Sequence, residues 1–272
     1  MLVCALGDAL LDVVVRLERP FEQDDDNPAH ARVGAGGQAA NVAAWAASLG
    51  AEARLVTRLG ADDAGRLVDG ELQARRVERL GPVAGRTGVV VSLVGADGGR
   101  SLVSDPGASP GLRPQDLEVG WLRGCDVLHL SGYALVRSPI DEAGARAAGA
   151  ARAQGGRISV DLAAWTAIRD FGPERLRARL AELAPDVVFA TERELEVLGA
   201  EPVAATLVVK RGAAGCTVVG ASEREEHAAL PVEEVVDTTG AGDALAAGFL
   251  VGGIELGLEA AARCVSQLGA MP

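Results

Sequence analysis

Apolar and polar positions follow one another along the chain in two rhythms. Short apolar runs rich in β-branched residues are separated by stretches of Ala, Leu and Arg with helical spacing. The apolar runs predict strands over residues 2–6, 53–58, 127–130, 157–161, 187–190, 205–210 and 216–219. The intervening stretches predict helices over residues 37–48, 61–75, 139–154, 174–183, 192–198, 241–251 and 256–268. Because the strands are apolar almost throughout, we expect an α/β fold with a mostly parallel sheet buried on both faces.

Two segments break this rhythm, because each contains strand-like runs with no helix between them. The first begins as a strand at Val13 and then passes through a polar run that ends at Pro28. The second predicts a hairpin over residues 87–103, turning at residues 96–99. We expect a single domain over residues 1–272, into which segments at about 13–33 and 84–105 are inserted as a β lid or a dimer surface.

Composition narrows the class of protein. The 272 residues are 49% hydrophobic, which suffices for a core and argues against disorder. Acidic residues outnumber basic ones by 38 to 26, and a net charge of −12 disfavours nucleic acid as a partner. No apolar run approaches the roughly 20 residues of a membrane span. The four cysteines form no Cys-x-x-Cys pair, which predicts reduced thiols and a cytoplasmic location.

The most informative stretch is residues 237–244, Asp-Thr-Thr-Gly-Ala-Gly-Asp-Ala, which precedes an uncharged apolar run. Amide groups at the start of a helix have no intrahelical acceptor, so those of Gly240, Ala241, Gly242 and Asp243 predict an anion site. A carboxylate beside an anion site needs a chemical reason, and phosphoryl transfer supplies one. The amides would hold the transferring phosphate, and Asp243 would take the proton of a substrate hydroxyl.

The same stretch supports two local expectations. Either Thr238 or Thr239 should cap the helix with its side chain, because hydroxyl groups are favoured at that position. The helix dipole should lower the pKa of Asp243 and keep it ionised at neutral pH.

A second stretch, residues 34–43, combines glycines with an amide side chain just before and inside a predicted helix. Asn41 offers a donor and an acceptor to a pair of sugar hydroxyls. The spacing also resembles a dinucleotide fingerprint, but a long segment separates it from the first strand, and no acid ends the second strand. Asp12 lies just beyond the first strand, where open α/β sheets bind ligands and where a carboxylate could accept bonds from a polyol.

Two further segments follow predicted sheet strands and could meet at the same rim. Thr191-Glu-Arg-Glu194 follows strand 187–190, and Glu194 could orient a magnesium-bound water. Lys210-Arg-Gly-Ala-Ala-Gly215 follows the next strand, and Lys210 is the only lysine in the chain. A further hypothesis is that Lys210 binds a phosphate of ATP. No Gly-x-x-x-x-Gly-Lys-Ser/Thr pattern is present, which excludes a P-loop enzyme.

Together these segments resemble the ribokinase-like family of sugar and nucleoside kinases, and the resemblance covers nearly the whole chain in the same order. Its most specific part is the stretch 237–243, and the pattern Gly36-Gly37-x-x-x-Asn41 matches the N-terminal signature. The resemblance implies a three-layer α/β/α sandwich with a mostly parallel central sheet and a small β lid. It also implies ATP and Mg²⁺ as cofactors and a homodimer formed through the lid.

The resemblance assigns roles to individual residues. It makes Asp243 the catalytic base. The implied anion hole is formed by Gly240, Ala241 and Gly242. The residues implied to bind the acceptor are Asp12, Gly36, Gly37 and Asn41. Those implied for the nucleotide are Thr191, Glu194, Lys210, Gly212 and Gly215, with Thr191 in place of the family asparagine and Glu194 acting on Mg²⁺ through water. Asp237 and Thr239 match a loop that holds a monovalent cation in some members, so K⁺ activation is a further hypothesis.

The leading interpretation is an ATP-dependent kinase that phosphorylates a hydroxyl of a small sugar or polyol. A nucleoside kinase of the adenosine type is the alternative within the same chemistry, and the low aromatic content of 3% favours sugars over bases. A catalytically inactive ligand-binding member of the fold is a second alternative. A nicotinamide-dependent dehydrogenase is the third, and it rests only on residues 34–39.

Overall fold

The computed structural model describes residues 1–95, 100–162, 164–200 and 204–272, and within these residues nine strands form the central sheet. Their order across the sheet is β13-β12-β11-β10-β9-β8-β1-β4-β5. In chain order the strands are β1 (Leu2–Leu6), β4 (Glu52–Val56), β5 (Val77–Leu80), β8 (Val127–Ser131), β9 (Arg157–Asp161), β10 (Val187–Thr191), β11 (Thr206–Lys210), β12 (Cys216–Val219) and β13 (Arg224–His227).

The central part of this sheet is parallel, from β5 through β1 to β11, whereas β12 and β13 run antiparallel at one edge. Every residue of β1 and β8 is buried. Strands buried on both faces must be apolar throughout, which explains why the sequence shows runs and not alternation. The carboxyl ends of these strands meet at one edge, and the loops there are able to form a site.

Helices cover both faces of the sheet. They are α1 (Gln38–Ser48), α2 (Asp63–Ala74), α3 (Gly132–Leu135), α4 (Ile140–Arg152), α5 (Trp165–Phe171), α6 (Pro173–Leu183), α7 (Glu192–Leu198), α8 (Ala241–Gly252) and α9 (Ile254–Val265). On one face, Trp45 of α1 and Leu245 of α8 pack with Val3 and Phe189 of the sheet. On the other face, α4 and α6 pack against alternate residues of the same strands. The predicted three-layer α/β/α arrangement is confirmed.

Four further strands form a separate small sheet in the order β3-β2-β6-β7 within the described residues. They are β2 (Leu10–Leu17), β3 (Ala29–Gly36), β6 (Thr87–Val94) and β7 (Arg100–Gly107). Strand β2 pairs antiparallel with β3 and parallel with β6, which in turn pairs antiparallel with β7. We refer to this four-stranded sheet as the lid. The predicted hairpin turn at residues 96–99 lies outside the described residues.

Two strands, β5 and β13, were missed by the sequence prediction, together with the short helices α3 and α5. Strand β5 reads Val-Glu-Arg-Leu, and β13 reads Arg-Glu-Glu-His. Both lie at edges of the central sheet, where side chains meet solvent and need not be apolar. The predicted helix over 256–268 is displaced, since α9 runs from Ile254 to Val265. A hydrophobic pattern therefore locates central strands well and edge strands poorly.

Two other expectations concern the state of the cysteines and the presence of a membrane-spanning helix. All four cysteines are buried, and none forms a disulfide. Among the described helices, none combines the length and the apolar character that crossing a bilayer would require.

Candidate active site

The lid and the carboxyl edge of the central sheet enclose a cavity of about 260 Å³. Its walls come from the ends of β1, β8, β10 and β11, from the first turns of α1 and α8, and from the lid strands. The predicted site residues that line it are Asp12, Gly37, Asn41, Thr191, Glu194, Lys210, Thr239, Gly240, Gly242 and Asp243. Segments distant in sequence therefore meet in one place, because the ends of parallel strands, the starts of α1 and α8 and the lid all border this edge of the sheet.

The start of α8 forms the floor of the cavity and has no side-chain cap. The N-cap residue is Gly240, with φ 79°, so the expected cap by Thr238 or Thr239 is wrong. A Cβ atom at Gly240 would lie 2.6 Å from Cβ of Ala270, so only glycine fits both the conformation and the space. The amide of Ala241 donates to the Thr238 carbonyl oxygen at 3.4 Å, but no side-chain hydroxyl caps the helix start, so the amides of Gly242 and Asp243 are open to an anion from the cavity.

Asp243 lies in this first turn, and its Oδ2 accepts a 2.7 Å hydrogen bond from Nδ2 of Asn41. The expectation that its pKa is lowered is wrong. Burial, reinforced by the negative charge of Asp161, raises the pKa of Asp243 to about 7, although Asn41 and Lys210 favour the charged form. Loss of solvation is the largest cause of this shift. Near neutral pH the carboxylate can both accept and release a proton.

A second helix start, that of α1, lies beside the first. Gly37 has φ 106°, and a Cβ there would lie 2.6 Å from the carbonyl oxygen of Asp8. Asp8 accepts hydrogen bonds from the amide of Gln38 at 2.9 Å and from the hydroxyl of Ser131 at 2.9 Å. These bonds fix the loop after β1 against the end of β8. Asp12 lies on the adjoining lid strand, and only 6% of its surface is exposed.

Lys210 is paired with a carboxylate beneath the anion site. Its Nζ lies 2.8 and 2.6 Å from the two carboxylate oxygens of Asp161, which is fully buried. Burial disfavours the ammonium, but the charges of Asp161 and Glu194 raise the pKa of Lys210 above its ordinary value. A Cβ on Gly242 would lie 3.3 Å from this Nζ. The glycine therefore lets a positive charge lie directly under the first turn of α8.

Thr191 and Glu194 form a reciprocal cap at the start of α7. The amide of Thr191 donates to Oε2 of Glu194 at 2.8 Å, and the amide of Glu194 donates to the Thr191 hydroxyl at 3.3 Å. Burial raises the pKa of Glu194. Threonine at position 191 thus has a structural function, since its hydroxyl completes the capping box.

Asp237 accepts hydrogen bonds at both of its carboxylate oxygens. Its Oδ1 accepts hydrogen bonds from the amide of Thr239 at 2.8 Å and from the hydroxyl of Thr239 at 2.5 Å. Its Oδ2 accepts from the amide of Gly269 at 3.0 Å. The residue therefore ties the loop before α8 to the segment after α9.

Three predicted glycines do not line the cavity. Gly36 is buried in the lid, where a Cβ would lie 2.7 Å from Cβ of Asp12, and this close approach accounts for the glycine. Gly212 and Gly215 form the tight connection between β11 and β12, and a side chain at Gly215 would clash with the backbone of His227. The dinucleotide fingerprint fails as well, because Gly34 and Gly36 belong to antiparallel strand β3.

Several cavity residues were missed by sequence reasoning, among them two with chemically active side chains. Tyr133 and Arg137 line the cavity and follow the carboxyl end of β8. The signal was available, since a site in an α/β sheet draws on every strand end that borders it. The lid contributes Ser104 and Pro106, which the pattern of apolar residues gave no reason to select.

Metal binding by protein side chains alone is not supported within the described residues, because they contain no cluster of three or more His, Cys, Asp or Glu side chains suited to a metal ion. A magnesium ion in this site would depend on phosphate oxygens and water for most of its ligands, which is usual for Mg²⁺.

Comparison with known proteins shows the family and the fold. A family model described as pfkB family carbohydrate kinase matches residues 1–271. The chain is 32% identical to an ATP-dependent ribose-1-phosphate kinase from Halopiger xanaduensis over 279 residues, which cover 96% of this chain and 90% of the relative.

Solved structures resemble the fold over nearly its whole length. The adenosine kinase from Sinorhizobium meliloti superimposes with a TM-score of 0.86 at 27% identity, covering 99% of this chain and 95% of the other. A protein described as a ribokinase II from E. coli, in complex with ATP and Mg²⁺, gives a TM-score of 0.83 at 23% identity and covers 99% and 94% of the two chains. This second likeness concerns the fold, which is ribokinase-like.

Proposed function

The chain belongs to the pfkB family of carbohydrate kinases and is an ATP-dependent phosphotransferase, and we propose that it transfers the γ-phosphate of ATP to a hydroxyl of a small carbohydrate. The observation that carries this proposal is the position of Asp243. Its carboxylate faces the cavity from the uncapped start of α8 and is oriented by the 2.7 Å bond from Asn41.

The proposed reaction is an in-line displacement. The acceptor oxygen forms a bond to the γ-phosphorus, and the bond between that phosphorus and the β–γ bridging oxygen breaks, releasing ADP. Asp243 takes the hydroxyl proton as the bond forms. The amides of Gly240, Ala241, Gly242 and Asp243 stabilise the charge on the transferring group, because they are fixed dipoles directed at it. Closure of the lid excludes water that would otherwise hydrolyse ATP.

The phosphate end of ATP fits the arrangement at α8. Gly242 leaves room that a side chain would fill, and the Lys210 ammonium lies beneath it. Thr191 and Glu194 border the same part of the cavity, and Gly212 and Gly215 lie on the connection beyond β11. Bound Mg²⁺ supplies neutralisation of charge on the phosphate oxygens. A direct role of Lys210 as a phosphate ligand stays a hypothesis.

Other parts of the prediction also stay open. Asp237 and Thr239 are the residues predicted for a monovalent-cation loop, and the two Asp237 oxygens already accept hydrogen bonds from the chain. Activation by K⁺ therefore stays a prediction, as does a cytoplasmic location.

The alternative acceptor is a nucleoside. The adenosine kinase from Sinorhizobium meliloti shares the fold, and Tyr133 places an aromatic ring in the cavity wall. A purine could stack on such a ring. Against this, Tyr133 already lies beside the Arg137 guanidinium, whose Cζ is 5.4 Å from the ring centroid. Sugars stay the preferred acceptors.

A homodimer through the lid is the proposed assembly. Cavity-lining residues of the lid, such as Asp12 and Val90, occupy even positions, so odd positions face away from the cavity. On that outer face the pairing register forms a row of four valines, Val33, Val13, Val91 and Val103. Exposed apolar sheet surface of this kind is characteristic of an interaction site.

The test is the variant Asp243→Asn, assayed by coupled ADP release over pentoses, hexoses, sugar acids and nucleosides. We expect kcat to fall by about 10²- to 10⁴-fold while ATP binding, measured by calorimetry, is retained. Asp170→Asn is the matched control, because this carboxylate is 67% exposed and lies outside the cavity. Turnover of Asp243→Asn equal to the wild type would disprove the base assignment. Failure of the wild type with every acceptor would favour an inactive binding protein.

A further inference from the structure

Arg137 occupies a position in the cavity that the proposed reaction does not use. It lies two residues beyond α3, which follows the carboxyl end of β8, and it lines the cavity together with Ser104 and Pro106 of the lid. Its guanidinium stacks beside the ring of Tyr133, with 5.4 Å between Cζ and the ring centroid. The side chain is half-buried.

Among the described residues, the other cation that lines the cavity, Lys210, already has a carboxylate partner, while Asp12, Glu194 and Asp243 add negative charge to the walls. Lys210 is paired with Asp161, and Asp8 accepts hydrogen bonds from Gln38 and Ser131. In contrast, no carboxylate among the described residues lies within 4.0 Å of the Arg137 side-chain nitrogens. A guanidinium carries five N–H donors in a planar fork that matches phosphate and carboxylate. A half-buried fork without an acid therefore has the chemistry of an anion subsite.

The position of Arg137 assigns this subsite to the acceptor and not to ATP. The phosphate site lies at the start of α8, above Lys210 of β11. Strand β8 is three strands away from β11 and next to β1, which leads to Asp8. Three strand spacings amount to about 14 Å. Arg137 thus lies on the side of Asp8 and the lid, where the acceptor is expected.

We propose that the acceptor is a sugar bearing an anionic substituent, phosphate or carboxylate, which Arg137 binds while the hydroxyl to be phosphorylated faces Asp243. This inference rests on the proposed kinase function. A charge-assisted, bidentate contact of this kind adds both affinity and orientation. It would hold the acceptor by the end opposite to the reacting hydroxyl and so select against neutral sugars.

The test compares matched acceptors with the wild type and the variant Arg137→Gln. The acceptors are ribose, ribose 1-phosphate, ribose 5-phosphate and ribonate, and likewise fructose, fructose 1-phosphate, fructose 6-phosphate and gluconate. For the wild type we expect kcat/KM for one anionic acceptor to exceed that of its neutral parent by about 10- to 100-fold, as a hydrogen bond to a charged group implies. Comparison of the sugar phosphates with the sugar acids shows whether the bound anion is a phosphate or a carboxylate.

Arg137→Gln should raise the KM for that acceptor by a similar factor and leave the KM for ATP unchanged. Arg137→Lys should recover part of the loss, because it restores the charge but not the fork. Arg66→Gln is the matched control, since Arg66 is 74% exposed and lies outside the cavity lining. Its KM values should equal those of the wild type.

Two outcomes would overturn the inference. One is that a neutral sugar is the best substrate. The other is that Arg137→Gln lowers kcat/KM by the same factor for neutral and anionic acceptors. Calorimetric titration with the sugar phosphates and acids in the absence of ATP separates this inference from the proposed function. Anion binding that depends on Arg137 without any turnover would disprove the kinase proposal alone. Absence of such binding together with absence of turnover would disprove both.

Discussion

At the scale of single residues, the proposed chemistry depends on the protonation state of Asp243. The side chain is half-buried at a helix start, where the dipole favours its charge, yet burial and the nearby charge of Asp161 raise its pKa to about 7. A base with a pKa near the working pH is well matched to proton transfer, because it is ionised in part and still basic enough to hold the proton. The same carboxylate with an ordinary pKa would be a weaker base.

The pH dependence of kcat/KM follows from this pKa. Only the ionised carboxylate can accept a proton, so kcat/KM should fall about tenfold per unit as the pH decreases below about 7 and level off above it. The measurement is kcat/KM between pH 5.5 and 9, with circular dichroism to show that the protein stays folded. In Asn41→Ala the bond that favours the charged form is lost, so the midpoint should move to higher pH. A flat profile down to pH 5.5 would contradict the assignment.

At the scale of elements, parallel strand ends bring opposite charges together under the anion site. Asp161 ends β9 and Lys210 ends β11, with β10 between them, and their side chains meet at 2.6 Å. Both charges are removed from water, so each depends on the other for compensation. His129 of β8 lies near this pair and is fully buried. Burial lowers the pKa of His129 to about 4, so the imidazole is neutral at physiological pH.

Removal of one partner should be far more costly than removal of both. Lys210→Met leaves the buried Asp161 carboxylate without its cation, and we expect the free energy of unfolding to fall by about 3–5 kcal/mol. The double variant Asp161→Asn with Lys210→Met should recover most of that loss. Urea denaturation measures the free energy of unfolding of the wild type and of each variant. Arg193→Met is the control, because the Arg193–Glu196 pair is more than 60% exposed and should change stability by less than about 1 kcal/mol. Equal losses in the single and double variants would refute the coupling.

At the scale of the whole molecule, the lid is a sheet with two different faces. Its even positions point into the cavity, and its odd positions form the valine row of Val33, Val13, Val91 and Val103. Val103 is 69% exposed and Val33 is 49% exposed. Both lie on the edge strands of the lid. A second copy of the chain that covers this face would bury the row and hold the lid close to the site.

A charge in the valine row should prevent dimer formation. We expect Val103→Glu to reduce the mass measured by light scattering from twice 27.7 kDa to 27.7 kDa, because a carboxylate cannot be buried there without a partner. The control is Val119→Glu, which changes the same residue type at a site that is 45% exposed and outside the lid. A wild-type protein that is monomeric at assay concentration would refute the proposed assembly.

The sequence by itself determined the layers of the fold and the stretch that is proposed to carry the chemistry. Short apolar runs rich in β-branched residues favour strands buried on both faces, so β1 and β8 could be located from their residues. The Gly-Ala-Gly-Asp stretch indicated a helix start with close approach to a ligand, because glycines allow positive φ and close contacts. These are local constraints, and a sequence displays them directly.

Tertiary structure alone decided what surrounds each group. The pKa of Asp243 depends on burial and on Asp161, which is 82 positions away in the chain, and no local pattern reports that distance. Arg137 became a candidate only when the end of β8 and the lid were seen to share one cavity. Solvation and charge–charge interactions depend on separation in space, so they are fixed when the strand ends assemble and not before.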